Sequence, residues 1–594
     1  MSIAPARTPK TQTPVDTRAT ALPPAELSLP PRRTLSAERE AQPLDFTAPK
    51  NFGPAQQVDA PAPASPSAGS WTALANAAPG RVQLMLLLSD GTVMAAAANE
   101  GPPTYPVSKK WFKLTPDSHG SYVNGTWTTL QSMADTRLFY SSYVLQSGKV
   151  FVAGGEYGTG AAKAEIYDPL ANTWSQVPIP SSLIDPTQPW PGNPTKYQQA
   201  LSDANSAYLS NGKVLIAPVL YKTQGQTLLY DIATNAWSAG PDFISNTQDE
   251  ATWLKLPDNS ILTPDPAVTT SERYIPSSNT WLSDSNVPVS LYDGIGQEIG
   301  AAFLLPDGRG FFLGATGTTA AYTPSGTTAP GTWAATHNIP QVTQYPEDNN
   351  GNQVPGSAFS TQGATPDSAA AILPNGKILC AFSGALYNDG RIGKTIPNSN
   401  NYWKTATNPR YPSPTSFYEY DPATDTFTSV TGPTGTTDNI AAYQSMMLDL
   451  PDGTVLYAHQ NTDLYVYNPG GTPVAAGKPT VTSFTRNSDG SYHLIGKNLN
   501  GISQGAGYGD DAQMDTNYPI IRLTSGSNIY YARTYNWSSN SVATGTATVT
   551  TEFTLPPGLP AGNYSLYVSA NGISSDAIPF STSSAPPVVT ITTP

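Results

Sequence analysis

Apolar and polar positions alternate in short runs along most of this chain, and polar turns separate the runs. The clearest stretch is RLFYSSYVLQSGKVFVAGGEYGTGAAKAEIYDPLANTWS at 137–175. Two apolar runs flank the turn Ser147-Gly148-Lys149, a third ends at Tyr167-Asp168-Pro169, and Trp174 follows as an isolated aromatic. Alternation on this scale predicts half-buried strands, and Gly after a small polar residue predicts the hairpin turn. Comparable turns fall at Gly91, Gly148, Gly212, Asn259, Gly308, Gly376 and Gly453. The corner position is Leu114, Tyr167, Tyr230, Tyr274, Tyr322, Tyr420 and Tyr467 in turn. Trp174, Trp237, Trp281 and Phe427 follow their corners at one fixed spacing, and Trp127 and Trp333 follow theirs after longer loops. The last copy lacks a trailing aromatic, whereas Trp71, in GSWTALA, precedes the first copy.

A four-stranded sheet cannot bury both faces alone, so a repeat of such sheets predicts a ring. The expected fold class is all-β: a seven-bladed β-propeller over 67–475, closed by the Trp71 strand, which completes the last blade and leaves no open sheet edge. The repeated Tyr and Trp side chains are then packing residues between and within blades. From 476 to 583, segments such as KPTVTSFTRNSDGSYHLIGKNLNG and ATVTTEFTLPPGLPAGNYSLYVSANG predict an immunoglobulin-like sandwich, with 584–594 as a tail. Residues 1–66 are rich in Pro, Ala, Ser and Thr and predict a disordered arm, read as a solubilising tail or as a docking segment for a larger assembly. Two long insertions interrupt the repeats, at 345–360 and 387–414. The second is aromatic and basic, with Arg391, Tyr402, Trp403 and Arg410, and is a candidate lid.

Charge and composition narrow the function classes. The formal net charge is −13 and only 12% of residues are charged, which argues against a nucleic-acid surface. The single cysteine, Cys380, excludes an internal disulfide and a cysteine-based zinc site. His119, His337, His459 and His493 share no ligand spacing. No apolar run is long enough for a membrane span or a Sec signal peptide, so export by another route is the preferred expectation and the cytoplasm the alternative.

The order of the repeats followed by the sandwich resembles the galactose oxidase and glyoxal oxidase group, Kelch-type propellers with a C-terminal early-set domain. That resemblance covers about 67–583 and implies copper held by two tyrosines and two histidines, with one tyrosine cross-linked to a cysteine. Matched residue by residue, RLFYSS puts Phe139 at the first tyrosine, with Tyr140 one position late, and AAYQSMM puts Tyr443 and Gln444 at the Tyr-His pair. YGDDAQMDTNYP carries Asp510 and Asp511 where the last histidine is expected, and RVQLMLLLSDG has no cysteine. The resemblance therefore implies the architecture without the copper-radical site.

The position just before each innermost strand faces the central channel. It carries Arg137, Asp203, Asp249 with Glu250, Glu298, Asp367, and Tyr443 with Gln444. Recurrent acids at small, apolar strands are not what packing alone asks for. Three readings stand side by side: acids that staple neighbouring blades through backbone amides, an oxygen-ligand calcium site joined by Asp510, Asp511 and Asp515, and a catalytic carboxylate pair. The expected function is a non-catalytic propeller that binds a carbohydrate or protein partner at this mouth. The alternatives are an enzyme acting on carbohydrates or as a residual oxidase, and a structural or exported cargo component docked by its arm.

Overall fold

The aromatic repeat sets the outer half of every blade. In the paired third and fourth strands, Tyr167 lies opposite Trp174, Tyr230 opposite Trp237, Tyr274 opposite Trp281, Tyr322 opposite Trp333 and Tyr420 opposite Phe427. Leu114 and Trp127 hold the same register in the first blade. Directly opposed aromatics on one sheet face are the closest cross-strand pairs, which is why the spacing is kept. The phenol then fixes the turn between the two strands. The hydroxyls of Tyr167, Tyr230 and Tyr274 donate to the side-chain oxygens of Asn172, Asn235 and Asn279 at 2.9, 2.7 and 2.8 Å, and Tyr420 donates to Asp425 at 2.9 Å. These four acceptors sit at φ of 51 to 53°, in the left-handed region that Asn and Asp tolerate best.

A computed structural model describes residues 69–98, 107–155, 158–184, 189–190, 193–197, 200–202, 204–219, 225–245, 248, 250–266, 268–293, 298–345, 358–385, 413–508, 516–582 and 589–590. The arm at 1–66 and the candidate lid residues Arg391, Tyr402, Trp403 and Arg410 lie outside the described residues. Seven blades follow in chain order, with innermost strands Val82–Leu87, Ser141–Val144, Ser206–Tyr208, Thr252–Lys255, Ala302–Leu304, Ala370–Ile372 and Met446–Asp449. Each innermost strand turns into the second through one of the seven predicted turn residues, all at positive φ between 67 and 87°. Flanking the first insertion, Gln341–Gln344 pairs with Phe359–Ala364, and these two strands add to the sheet of blade 6.

Ring closure follows the expectation. Ser70–Ala73 pairs with Tyr465–Asn468 of blade 7, which sets Trp71 opposite Tyr467 in the register of the other blades. The Trp71 ring lies 4.7 Å from Tyr467 and 5.3 Å from both Phe417 and Tyr457, and its indole N–H donates to Thr431 O at 2.6 Å. Trp71→Ala is expected to cost about 2 kcal/mol, below the ~3–5 typical of a fully buried Trp because this ring is half-buried. Urea unfolding checks this, and a change within error would show that the borrowed strand does not hold the ring.

The C-terminal strands, from Thr480–Arg486 onward, form a second β unit with its own core of Phe484, Leu494, Leu523, Phe553 and Leu566, among others. It packs on the turn face of the ring: Gly91 closely abuts the Tyr531 ring, Arg533 donates to Ser147 O at 2.7 Å, and the Tyr518 hydroxyl donates to Leu87 O. From this face a segment enters the ring. Gln504–Gly505 pairs with Phe303 and Leu304 of blade 5, and Gly507–Tyr508 pairs with Thr252 and Trp253 of blade 4. Among the described residues, no helix is long and apolar enough to cross a membrane.

Candidate functional site at the channel mouth

The mouth is the end of the ring where innermost strands begin, opposite the seven turns. Three sequence-predicted acids meet there. Glu250, Glu298 and Asp367, from the starts of blades 4, 5 and 6, each bring a carboxylate oxygen to within 4.8 Å of the others. Backbone lacing explains the convergence. The Thr252 hydroxyl donates to Gly300 O at 3.2 Å, and the Asp367 N–H donates to Ile299 O at 2.9 Å. Glu250 and Asp367 hold φ of 55 and 49°, in the left-handed region that Asp tolerates and Glu rarely takes. Non-glycine residues held there store backbone strain that the surrounding structure must impose. Glu250 and Glu298 are buried and Asp367 is half-buried. Carboxylates this close repel one another when ionised, so the cluster is complementary to a cation or to several hydroxyl donors. These three could hold a metal through hard oxygen ligands.

Arg137 does not join them. It is buried inside blade 2, where its guanidinium meets Glu165 at 3.0 Å and donates to the carbonyls of Gly154, Gly160 and Lys163. Tyr140 is buried against the Trp111 ring, 6.4 Å away. Gln444 is buried, and its side-chain oxygen accepts the Ala441 N–H at 3.2 Å, while Tyr443 is half-buried in the same short helical turn. Asp203, Asp249, Asp510, Asp511 and Asp515 lie outside the described residues.

Two acids that the sequence reading did not single out perform blade stapling. Glu165 accepts the Ala134 N–H at 2.8 Å. Glu272 accepts the N–H groups of Ile244 and Ser245 at 2.7 and 3.1 Å. Each stands two residues before its corner position, at Tyr167 and Tyr274, and that spacing was the available signal. Glu272 also takes a 2.9 Å bond from Gln248, whose own oxygen accepts the Trp253 indole N–H at 2.9 Å. Gln248 stands two residues before Glu250, so this buried network supports one limb of the mouth. Away from the mouth carboxylates, His459 bonds the buried Asp438 at 2.7 Å, and Asp438 also accepts from Tyr457 at 2.9 Å.

Seven four-stranded blades built on one aromatic phrase call for comparison with known repeats. Residues 137–181 match the Kelch motif. The chain is similar in structure to a fungal alcohol oxidase of the AA5 family, in complex with copper, at 13% identity and a TM-score of 0.45, over 86% of this chain and 99% of that one. It is also similar to a virginiamycin B lyase from Staphylococcus aureus, at 10% identity and a TM-score of 0.40, over 67% of this chain and 99% of that one. An extracellular domain of a putative hybrid two-component system from B. thetaiotaomicron matches at 10% identity and a TM-score of 0.38, over 87% of this chain and 60% of that one. No curated protein matches the sequence. Phe139 offers no ligand atom, the Gln444 oxygen is engaged by Ala441, and Cys380 is a core thiol of blade 6, pushed up by burial.

Proposed function

We propose that this Kelch propeller is a carbohydrate-binding protein that takes its ligand at the channel mouth through a calcium ion held by Glu250, Glu298 and Asp367. The observation that carries the reading is the convergence of three carboxylates from three successive blades within 4.8 Å. Arg137 is engaged with Glu165 inside blade 2 and is not part of this cluster. Calcium takes 6–8 oxygen ligands, and three carboxylates leave coordination positions that vicinal sugar hydroxyls can fill. Calorimetric titration of the full-length chain with calcium chloride is expected to give about one site, weakened at least tenfold by Glu298→Gln. Binding to a glycan panel is expected to vanish on chelation. A full-length chain that takes up no calcium overturns the reading.

The strained backbone at Glu250 favours a second reading, in which two of the carboxylates act as general acid and nucleophile on a glycoside. With one oxygen of each within 4.8 Å of the others, the carboxylates are at least as close as the ~5 Å pair of retaining enzymes requires. Hydrolysis of a chromogenic glycoside, abolished by Glu298→Gln, distinguishes this from binding alone.

A further inference from the structure

A second chamber lies deeper in the ring, where the segment from the C-terminal unit meets blades 2, 3 and 4. The cavity measures about 70 Å³ and is lined by Tyr143, Ser206, Lys255, Gln504, Asn517 and Asn540, among others. Lys255 closes the blade 4 strand, five residues beyond Glu250, so the chamber stands roughly 15 Å from the mouth along that strand.

Its chemistry is lopsided. The side-chain oxygens of Gln504, Asn517 and Asn540 are all buried and accept no hydrogen bond among the described residues. Asn517 and Asn540 are only 8% and 6% exposed. Neither amide can be turned over to hide the mismatch. The Asn517 NH₂ donates to Asn500 O at 2.7 Å and Ser503 O at 2.8 Å, and the Asn540 NH₂ donates to Leu209 O at 2.6 Å. A buried acceptor is costly to leave unmade, so three on residues that line one chamber mark a place where donors belong.

The surrounding charge selects the ligand. The buried Lys255 ammonium, which donates to Asn540 O at 3.1 Å, disfavours a metal cation in the same chamber. Amide oxygens disfavour an anion. We infer that this chamber is a second binding site, for a small uncharged molecule rich in hydroxyl donors, of the size of a two- or three-carbon polyol. The Tyr143 and Ser206 hydroxyls, 2.8 Å apart, belong to residues of the same lining and can relay donors. Solvent does not reach the three amide oxygens, so seating the ligand takes small side-chain adjustments and affinity is modest.

Ligand-observed NMR of the full-length chain with glycerol and ethane-1,2-diol tests the inference. Saturable binding is expected, and Gln504→Leu, a part-buried position whose backbone pairing with Leu304 is kept, should weaken it several-fold to about tenfold, the worth of one hydrogen bond. Tyr143→Phe should weaken it less. Glu298→Gln should leave it unchanged, which separates this site from the mouth. No saturable signal, equal binding by Gln504→Leu, or a crystal structure in glycerol showing only water in the chamber would overturn it.

Discussion

Arg137→Ala is expected to lower the stability of the ring by about 3–5 kcal/mol while leaving calcium uptake at the mouth intact. The pair it breaks is fully enclosed: the Arg137 and Glu165 side chains are 0% and 1% exposed. Removing one member of a buried ion pair strands the other charge without water, which is where the ~3–5 kcal/mol comes from. The loss extends beyond the pair, because the same guanidinium serves the carbonyls of Gly154, Gly160 and Lys163, which cross the loop between the second and third strands of blade 2. Lys at 137 should recover little, since a point ammonium cannot meet four acceptors spread in the plane of a guanidinium. Urea unfolding of the single variants Arg137→Ala and Glu165→Gln and of the double variant measures the coupling. A single-variant loss below about 1 kcal/mol, or a joint loss equal to the sum of the two, would show that the pair does not act as a unit. The calcium titration matters equally, because a mouth that fails in Arg137→Ala with its fold retained would return this residue to the ligand site.

That contrast shows where the sequence was legible. The blade count, the turn positions and the Trp71 closure follow from short-range spacing, which backbone geometry enforces: a Tyr at the corner and a Trp opposite it leave little choice of register. The mouth was legible as a position, the residue before each innermost strand, but not as a site. Glu250, Glu298 and Asp367 meet because two of them adopt left-handed backbone and because Asp367 and Thr252 are tied to blade 5, neither of which periodicity reveals. Arg137 occupies the same repeat position and turns away, since its partner Glu165 sits on the third strand of its own blade. The amide-lined chamber is further from view. Its three oxygens come from the C-terminal unit and its walls from blades 2, 3 and 4, so nothing local in the sequence brings Asn540 beside Lys255.

Glu272→Gln should abolish a loss of stability that the wild-type chain shows as the pH rises from about 4.5 to about 8. Burial pushes the Glu272 carboxyl from its ordinary 4.5 up to about 8, and the negative charge of Asp265 adds to the rise. The folded chain thus keeps a proton that the unfolded chain gives up above about 4.5. Its stabilising effect is complete below that pH, drains through the interval at up to about 1.4 kcal/mol per pH unit for one proton, and is gone above the folded value. Hydrogen bonds from Ser245 and Ile244 oppose the shift, and these are the bonds that tie the end of blade 3 to blade 4. Gln supplies an acceptor oxygen for that segment and an N–H in place of the acid proton, without a charge to develop. Urea midpoints measured at pH 5, 7 and 9 should therefore fall for the wild type and stay nearly level for Glu272→Gln, apart from titrations common to both. Parallel curves for the two proteins would remove Glu272 as the origin. The effect reaches the mouth because Gln248 bridges Glu272 and Trp253 two residues before Glu250. Above about pH 8, with Glu272 ionised, that support weakens, and calcium affinity at the mouth should fall in the wild type but not in Glu272→Gln.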